Sequence, residues 1–292
     1  MNNNKVFVTG ATGFQGGKIS TMLIENGYNV VTIAPQTVES SDIKSGLQII
    51  NGDLEDKATI KEALKGVTKS VYTFPLIFDM EKAISYTNNF IDAAKETGLE
   101  LIVFNTSFHL PKSDTGFLSL DLKRKIGALF SESGLNVITL MPDIYMDNLI
   151  APWMKPLIVD EGIIPYPIAE NQKVPWISQS DLGRAVCKVL ETPSLIGQTL
   201  PIGGNIYTGK EISQIISKEI NKEVKFIALT PNDFENQLVA GFGELAAKEI
   251  SNLYRYVEAN TEVLSSKDFR KTNDILGLKP ESLEDFVTKI NW

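Results

Sequence analysis

Through the first half of the chain, short apolar runs alternate with longer stretches whose apolar residues recur every three or four positions. Lys5 to Thr9 is a β-branched and aromatic run that predicts a first strand. From Phe14 to Asn26, Ile19, Met22 and Leu23 share one helical face, and Gly27 supplies the stop. Asn29 to Ala34 and Leu47 to Ile50 predict the second and third strands, and Asp56 to Leu64 a short amphipathic helix. Ser70 to Phe74 reads as a fourth strand closed by Pro75, and Glu81 to Thr97 as a long helix ending at Gly98. Leu101 to Phe104, Leu120 to Ser131 and Asn136 to Met141 continue as strand, helix and strand. Strands separated by helices of this length are βαβ units. The expected fold is therefore α/β, a doubly wound parallel sheet with helices on both faces.

After Pro142 the rhythm breaks. Pro152, Pro156, Pro165, Pro167 and Pro175 predict an irregular stretch as far as Trp176. Asp181 to Glu191 is again an amphipathic helix, and Gln198 to Ile202 a strand. Further helices are expected over Lys210 to Ile220, near Phe234 to Val239, over Gly243 to Tyr256 and over Ser282 to Ile290. The sequence shows no internal repeat, low-complexity segment or flexible linker. We expect residues 1–150 to form the main domain, with 172–205 returning to it. Residues 151–292 would then be a smaller, mainly helical substrate part that is not an independent module.

Composition narrows the function classes. Of 292 residues, 43% are hydrophobic and 22% charged, which leaves material for a sizeable core. The net charge of -8 and pI near 4.9 argue against direct nucleic-acid or anionic-membrane binding, which needs clustered Lys and Arg. A single cysteine, Cys187, excludes an internal disulfide and fits a reducing cytoplasmic setting. The opening MNNNKVFVTG lacks the basic and apolar regions of a signal peptide, and no apolar run is long enough to span a membrane. One histidine and one cysteine do not make a His/Cys metal site, so no metal is expected.

The chemistry concentrates where the first strand meets the first helix, at Thr9-Gly10-Ala11-Thr12-Gly13-Phe14-Gln15-Gly16-Gly17. A dinucleotide pyrophosphate needs exposed backbone N–H groups, the positive end of a helix and no side chain in the way. Gly10 permits the tight turn, Gly13 the approach of the phosphates, and Gly16 the close packing of helix on strand. Thr12, Phe14 and Gln15 complete the expected cofactor contacts of a Rossmann-type loop. A glycine turn that only packs helix on strand is the bland alternative. After the third strand, Asp53 can accept a hydrogen bond from the adenine amino group. It can equally be the N-cap of the following helix.

Taken in order, the strings TGATGFQGG, NGDLEDKATIKEALKGV, NFIDAAKETGLELIVFNTS, SGLNVITLMPDIYMDN, PWISQSDLGRAVCKVLE and LKPESLEDFV resemble the short-chain dehydrogenase superfamily, within it the atypical NmrA-like branch. That branch holds NAD(P)H-dependent quinone and dye reductases, and also dinucleotide-binding redox sensors. The resemblance implies a Tyr-x-x-x-Lys pair with a nearby serine. Lys123 matches the lysine, but Ser119 stands in the tyrosine position, which removes the usual proton donor. Lys123 would hold the nicotinamide ribose, or DLKRK is simply a solvated helix face. The edge of the fifth strand would face the nicotinamide, so Thr106 or Ser107 would bond the substrate oxygen. His109 is a candidate replacement proton donor, or an exposed loop histidine. Thr73, Phe74 and Pro75 would lie along the cofactor, and Tyr145 to Asn148 would edge the substrate pocket. Phe74, Phe108, Tyr145 and Trp153 would wall a planar apolar pocket, or serve as core.

NAD and NADP are usually told apart just after the second strand. There Ala34-Pro35-Gln36-Thr37, with Gln36 as the candidate contact, is neither acidic nor basic; the missing acid removes the usual repulsion of a 2′-phosphate, so NADP(H) is expected over NAD(H). The expected activity is NAD(P)H-dependent hydride transfer to a quinone-like or conjugated aromatic acceptor, in a chain compatible with a homodimer. The rival is a catalytically silent redox sensor acting through a protein partner. A nucleotide-sugar epimerase is disfavoured by the missing tyrosine.

Overall fold

The pattern Lys5–Val8 (β1) places three fully buried side chains, Val6, Phe7 and Val8, in the middle of a sheet. The computed structural model describes residues 4–34, 45–73, 76–265 and 269–292. In chain order β1 is followed by α1 (Phe14–Glu25), β2 (Asn29–Ala34), β3 (Leu47–Asn51), α2 (Lys57–Ala63), β4 (Lys69–Thr73), α3 (Met80–Thr97), β5 (Leu101–Asn105), α4 (Leu118–Glu132) and β6 (Val137–Pro142). β7 (Ile144–Tyr145), β8 (Ile163–Tyr166), β9 (Val174–Ile177), α5 (Gln179–Leu190) and β10 (Thr199–Ile202) come next. β11 (Asn205–Tyr207), α6 (Gly209–Ile220), β12 (Lys225–Ala228), α7 (Pro231–Phe242), α8 (Glu244–Ala259), α9 (Glu262–Ser265), α10 (Phe269–Leu276) and α11 (Leu283–Val287) complete the chain.

Two compact units interleave along the sequence: 1–113, 122–142 and 182–200 make the first, and 114–121, 143–181 and 201–292 the second. The first holds a seven-stranded sheet in the order β10-β6-β5-β4-β1-β2-β3, parallel at every pairing from β6 to β3. Successive strands run one way from β1 to β3 and the other way from β4 to β6. This is the Rossmann doubly wound arrangement, with its switch point between β1 and β4. Rings from four elements interlock behind it: Tyr72 lies 5.1 Å from Phe90 and 5.0 Å from Phe130, and Phe104 lies 5.2 Å from Phe130. The Tyr72 hydroxyl meets Thr87 Oγ1 at 3.1 Å, and burial pushes its pKa to about 12.

In the second unit the expectation of an irregular stretch up to Trp176 is corrected. β7, β8 and β9 lie there, in a three-stranded sheet β11-β9-β7 and a two-stranded sheet β12-β8. Proline is tolerated because of where it sits. Pro175 pairs with Ile206 of β11, whereas β7 pairs only with Trp176 and Ile177, beyond the proline. The remainder of this unit is helical, around a buried cluster of Tyr166, Trp176, Phe234 and Tyr254.

Candidate functional site

The glycine loop begins at the end of β1. Gly10 takes a left-handed φ of 64°, and its carbonyl accepts the Gly13 N–H at 2.8 Å, which turns the chain into α1. A Cβ on Gly16 would stand 2.2 Å from the Gly10 oxygen, so only glycine lets the helix lie this close to the strand. A Cβ on Gly13 would stand 3.3 Å from the same oxygen. Gly13 is the N-cap of α1, with no side-chain cap and no acid in the first turn, so neither the cap nor the first turn offsets the positive end of that helix. Thr12 and Phe14 are exposed, and Gln15 is half-buried.

The loop is tied to the neighbouring strand. Thr9 Oγ1 accepts the Thr73 N–H at 2.8 Å and donates to the Thr73 carbonyl at 3.2 Å, joining the ends of β1 and β4 across the switch point. The Thr73 hydroxyl is buried without a hydrogen-bond partner among the described residues. Phe74, Pro75 and Gln36 lie outside the described residues.

Beside the loop a cleft of about 140 Å³ is lined by Thr9, Gly10, Ile33, Gly52, Asp53 and Tyr86, among others. Asp53 is exposed and its Oδ1 accepts the Glu55 N–H at 2.7 Å. It is not the N-cap of α2. That role belongs to Asp56, whose carboxylate accepts the N–H groups of Ala58 and Thr59 and is held below its ordinary pKa chiefly by the Thr59 hydroxyl. Tyr86, with Lys82 5.4 Å from its ring centre, was not anticipated from the sequence. It sits on α3, and only the sheet order brings α3 to this cleft.

At the end of β5 several expected residues come together. Lys123, on α4, is 4% exposed, which overturns the solvated-face alternative for DLKRK. Its Nζ donates to the Thr106 carbonyl at 2.8 Å, and burial pulls its pKa down to about 7. The Thr106 hydroxyl donates to the carbonyls of Phe108 and Leu140. The Ser107 hydroxyl is buried without a hydrogen-bond partner among the described residues. His109 is half-buried in the loop that follows β5. Asn105 links this turn to Gln15 of the glycine loop at 3.1 Å, a contact the sequence did not suggest.

The second unit accounts for the remaining candidates. Ser119 is buried: its N–H donates to Glu249 Oε2 and its Oγ to the Glu249 carbonyl, each at 3.0 Å. Phe108, in the first unit, and Tyr145 are buried, and Trp153 meets Phe242 edge-on at 4.8 Å. The Asn148 amide donates to Tyr166 Oη at 3.0 Å, and that hydroxyl bonds Tyr254 Oη at 2.6 Å. Burial raises both tyrosines, Tyr166 to about 12. Among the described residues no group of three or more His, Cys, Asp or Glu is placed to hold a metal, and no helix is long and apolar enough to cross a membrane.

The pattern of the NmrA-like family matches residues 2–287. The chain belongs to the NmrA-like family. It is 29% identical over 290 residues to the prestalk A differentiation protein A of Dictyostelium discoideum, covering 97% of this chain and 91% of that one. It is 24% identical over 255 residues to an NAD(P)H azoreductase of Xenophilus azovorans, covering 85% and 86%. An NADPH-dependent quinone oxidoreductase of Escherichia coli, solved with NADPH, superposes with a TM-score of 0.78 at 22% identity over 97% of this chain and 99% of that one. Family membership and superposition agree with the strand order in assigning the Rossmann-type fold with a helical C-terminal part.

Proposed function

We propose that this NmrA-like chain is an NAD(P)H-dependent oxidoreductase that passes hydride directly to a quinone-like or conjugated aromatic small molecule, with NADP(H) preferred over NAD(H). The loop residues fit a dinucleotide pyrophosphate, since the N-terminus of α1 has no side-chain cap, no acid in its first turn, and a glycine as its N-cap. Gly10, Thr12, Gly13, Phe14, Gln15 and Gly16 would hold the phosphates, Asp53 the adenine amino group, and Thr73 the length of the cofactor. When bound, the reduced nicotinamide supplies the hydride.

The observation that carries this reading is Lys123. Burying an ammonium group is unfavourable, and this one is buried at the end of β5, with its Nζ on the Thr106 carbonyl beside the Ser107 turn. Placed one peptide unit from Ser107, with burial pulling its pKa down to about 7, it would supply the proton while the Ser107 hydroxyl meets the acceptor oxygen. The azoreductase and quinone oxidoreductase among the similar proteins support this acceptor class.

A silent sensor is the second reading, favoured by Ser119. Its hydroxyl is spent on the Glu249 carbonyl, so the position that holds tyrosine in the superfamily provides no proton donor. Fluorescence titration with NADPH and NADH, followed by a panel of quinones and azo dyes, separates the two. Oxidation of bound NADPH is the expected result. Tight binding without oxidation of any acceptor, together with unequal affinity for NADP⁺ and NADPH, would replace the reductase by the sensor.

A further inference from the structure

Among the described residues, two that are not glycine have a left-handed backbone: Asn221 at φ 51° and Ser107 at φ 61°. Asn221 is the C-cap of α6, an ordinary place for asparagine in that conformation. Ser107 caps no helix. It follows β5 by two residues, and a left-handed serine is strained unless its surroundings hold it.

The holder is Asn105. Its side chain is fully buried, its Oδ1 accepts the Ser107 N–H at 3.0 Å, and its Nδ2 donates to Gln15 Oε1 at 3.1 Å. The orientation of this amide is fixed, because a backbone N–H can only donate and must therefore face Oδ1. One side chain thus spans the β5 turn and the first turn of α1, positions 90 residues apart in the chain. On the far side of the turn, Lys123 grips the Thr106 carbonyl. Between these two anchors the Ser107 hydroxyl is buried without a hydrogen-bond partner among the described residues. A buried hydroxyl in that state is unfavourable, and a ligand oxygen reaching it would relieve that cost.

We propose that Asn105 is a positioning residue that couples the glycine loop, through Gln15, to the Ser107 turn. It keeps a dinucleotide on the loop and an acceptor oxygen at Ser107 Oγ in one register. The coupling rests on reading the loop as an NAD(P)H site.

The test is hydrogen–deuterium exchange of the full chain with and without saturating NADPH, on the parent, Gln15→Leu and Asn105→Leu. In the parent, NADPH is expected to slow exchange both in the loop and at Thr106 to Phe108. Gln15→Leu is expected to bind NADPH more weakly, so NADPH is raised until each variant is saturated; the loop is then protected and the turn is not. Protection of the turn that survives in either variant overturns the proposal. Steady-state reduction of a simple naphthoquinone gives the second reading. Asn105→Leu and Ser107→Ala should each lower kcat about tenfold or more. The KM for NADPH should stay within about threefold, and the double variant should be no slower than the slower of the two single ones. Losses that multiply mean independent structural roles and also overturn it.

If Asn105→Leu does not fold, Gln15→Leu, altered at a half-buried side chain, decides by exchange alone. NADPH that binds without being oxidised sinks the oxidoreductase reading, while exchange still decides the coupling. Turnover without coupled protection sinks the coupling alone. If no dinucleotide binds, both fall.

Discussion

Lys123 is held almost entirely out of water, and its ammonium form bears the cost. Below a pH of about 7 the side chain is protonated in the folded and unfolded chain alike, so the full cost is present. Between about 7 and its ordinary value of 10.5 the unfolded chain binds a proton that the folded one does not. Stability therefore rises with pH through that window. Lys123→Met removes the group, so the parent should gain on the variant by on the order of a few kcal/mol as pH climbs from about 6 to about 10. Urea unfolding at both ends of the range reads this directly, and a difference independent of pH would mean that the lysine titrates normally. The glycines offer a second contrast at the same scale. Gly16→Ala puts a methyl group 2.2 Å from a backbone oxygen and must push α1 off β1, whereas Gly13→Ala meets the same atom at 3.3 Å. Gly16→Ala should cost about 1–3 kcal/mol of stability. Gly13→Ala should fold nearly as the parent and lose NADPH affinity. Thermal melts and a binding titration of the pair check the order, and equal melting temperatures would contradict it.

Helix ends carry their own energetics. Thr208 and Glu211 form a reciprocal capping box at the start of α6, the Thr208 side chain accepting the Glu211 N–H at 3.2 Å. Thr208→Ala should cost about 1 kcal/mol by urea titration and leave NADPH affinity unchanged. A loss of affinity would mean that α6 shapes the cofactor site. Most elements of this kind are legible in the sequence. β2 runs from Asn29 to Ala34 as its apolar run predicts, and α3 stops at Gly98, which takes φ 72°. What escapes reading is short and paired at long range. β12, four residues with one buried side chain, finds β8 from about sixty positions away, between Lys225 and Ile163. The same division runs through the candidate site. The roles of Gly10 and Gly16 are legible because the absent side chain is itself the requirement. The burial of Lys123 depends on the rotational phase of α4 within a polar run. The bond from Asn105 to Gln15 depends on a fold that the local sequence does not encode.

At the scale of the molecule, a chain of net charge -8 is proposed to bind a ligand that is itself an anion. Long-range Coulomb repulsion then opposes association, and the attraction must come from near the ligand, from backbone N–H groups and the end of α1. These short-range contacts are little affected by salt, while repulsion between the anionic ligand and the acidic surface is screened over a Debye length of about 8–10 Å at physiological ionic strength. NADPH affinity should therefore stay level or rise modestly as sodium chloride increases from about 20 to about 200 mM, a range over which a Debye length of tens of ångströms contracts to about ten or less. A protein that gripped the phosphates through clustered Lys and Arg would show the opposite trend, because each such contact is weakened by salt. Isothermal titration along a salt series distinguishes the two. A steep fall in affinity would move the binding energy from the glycine loop to basic side chains, and Gly13→Ala would then have little effect on the titration.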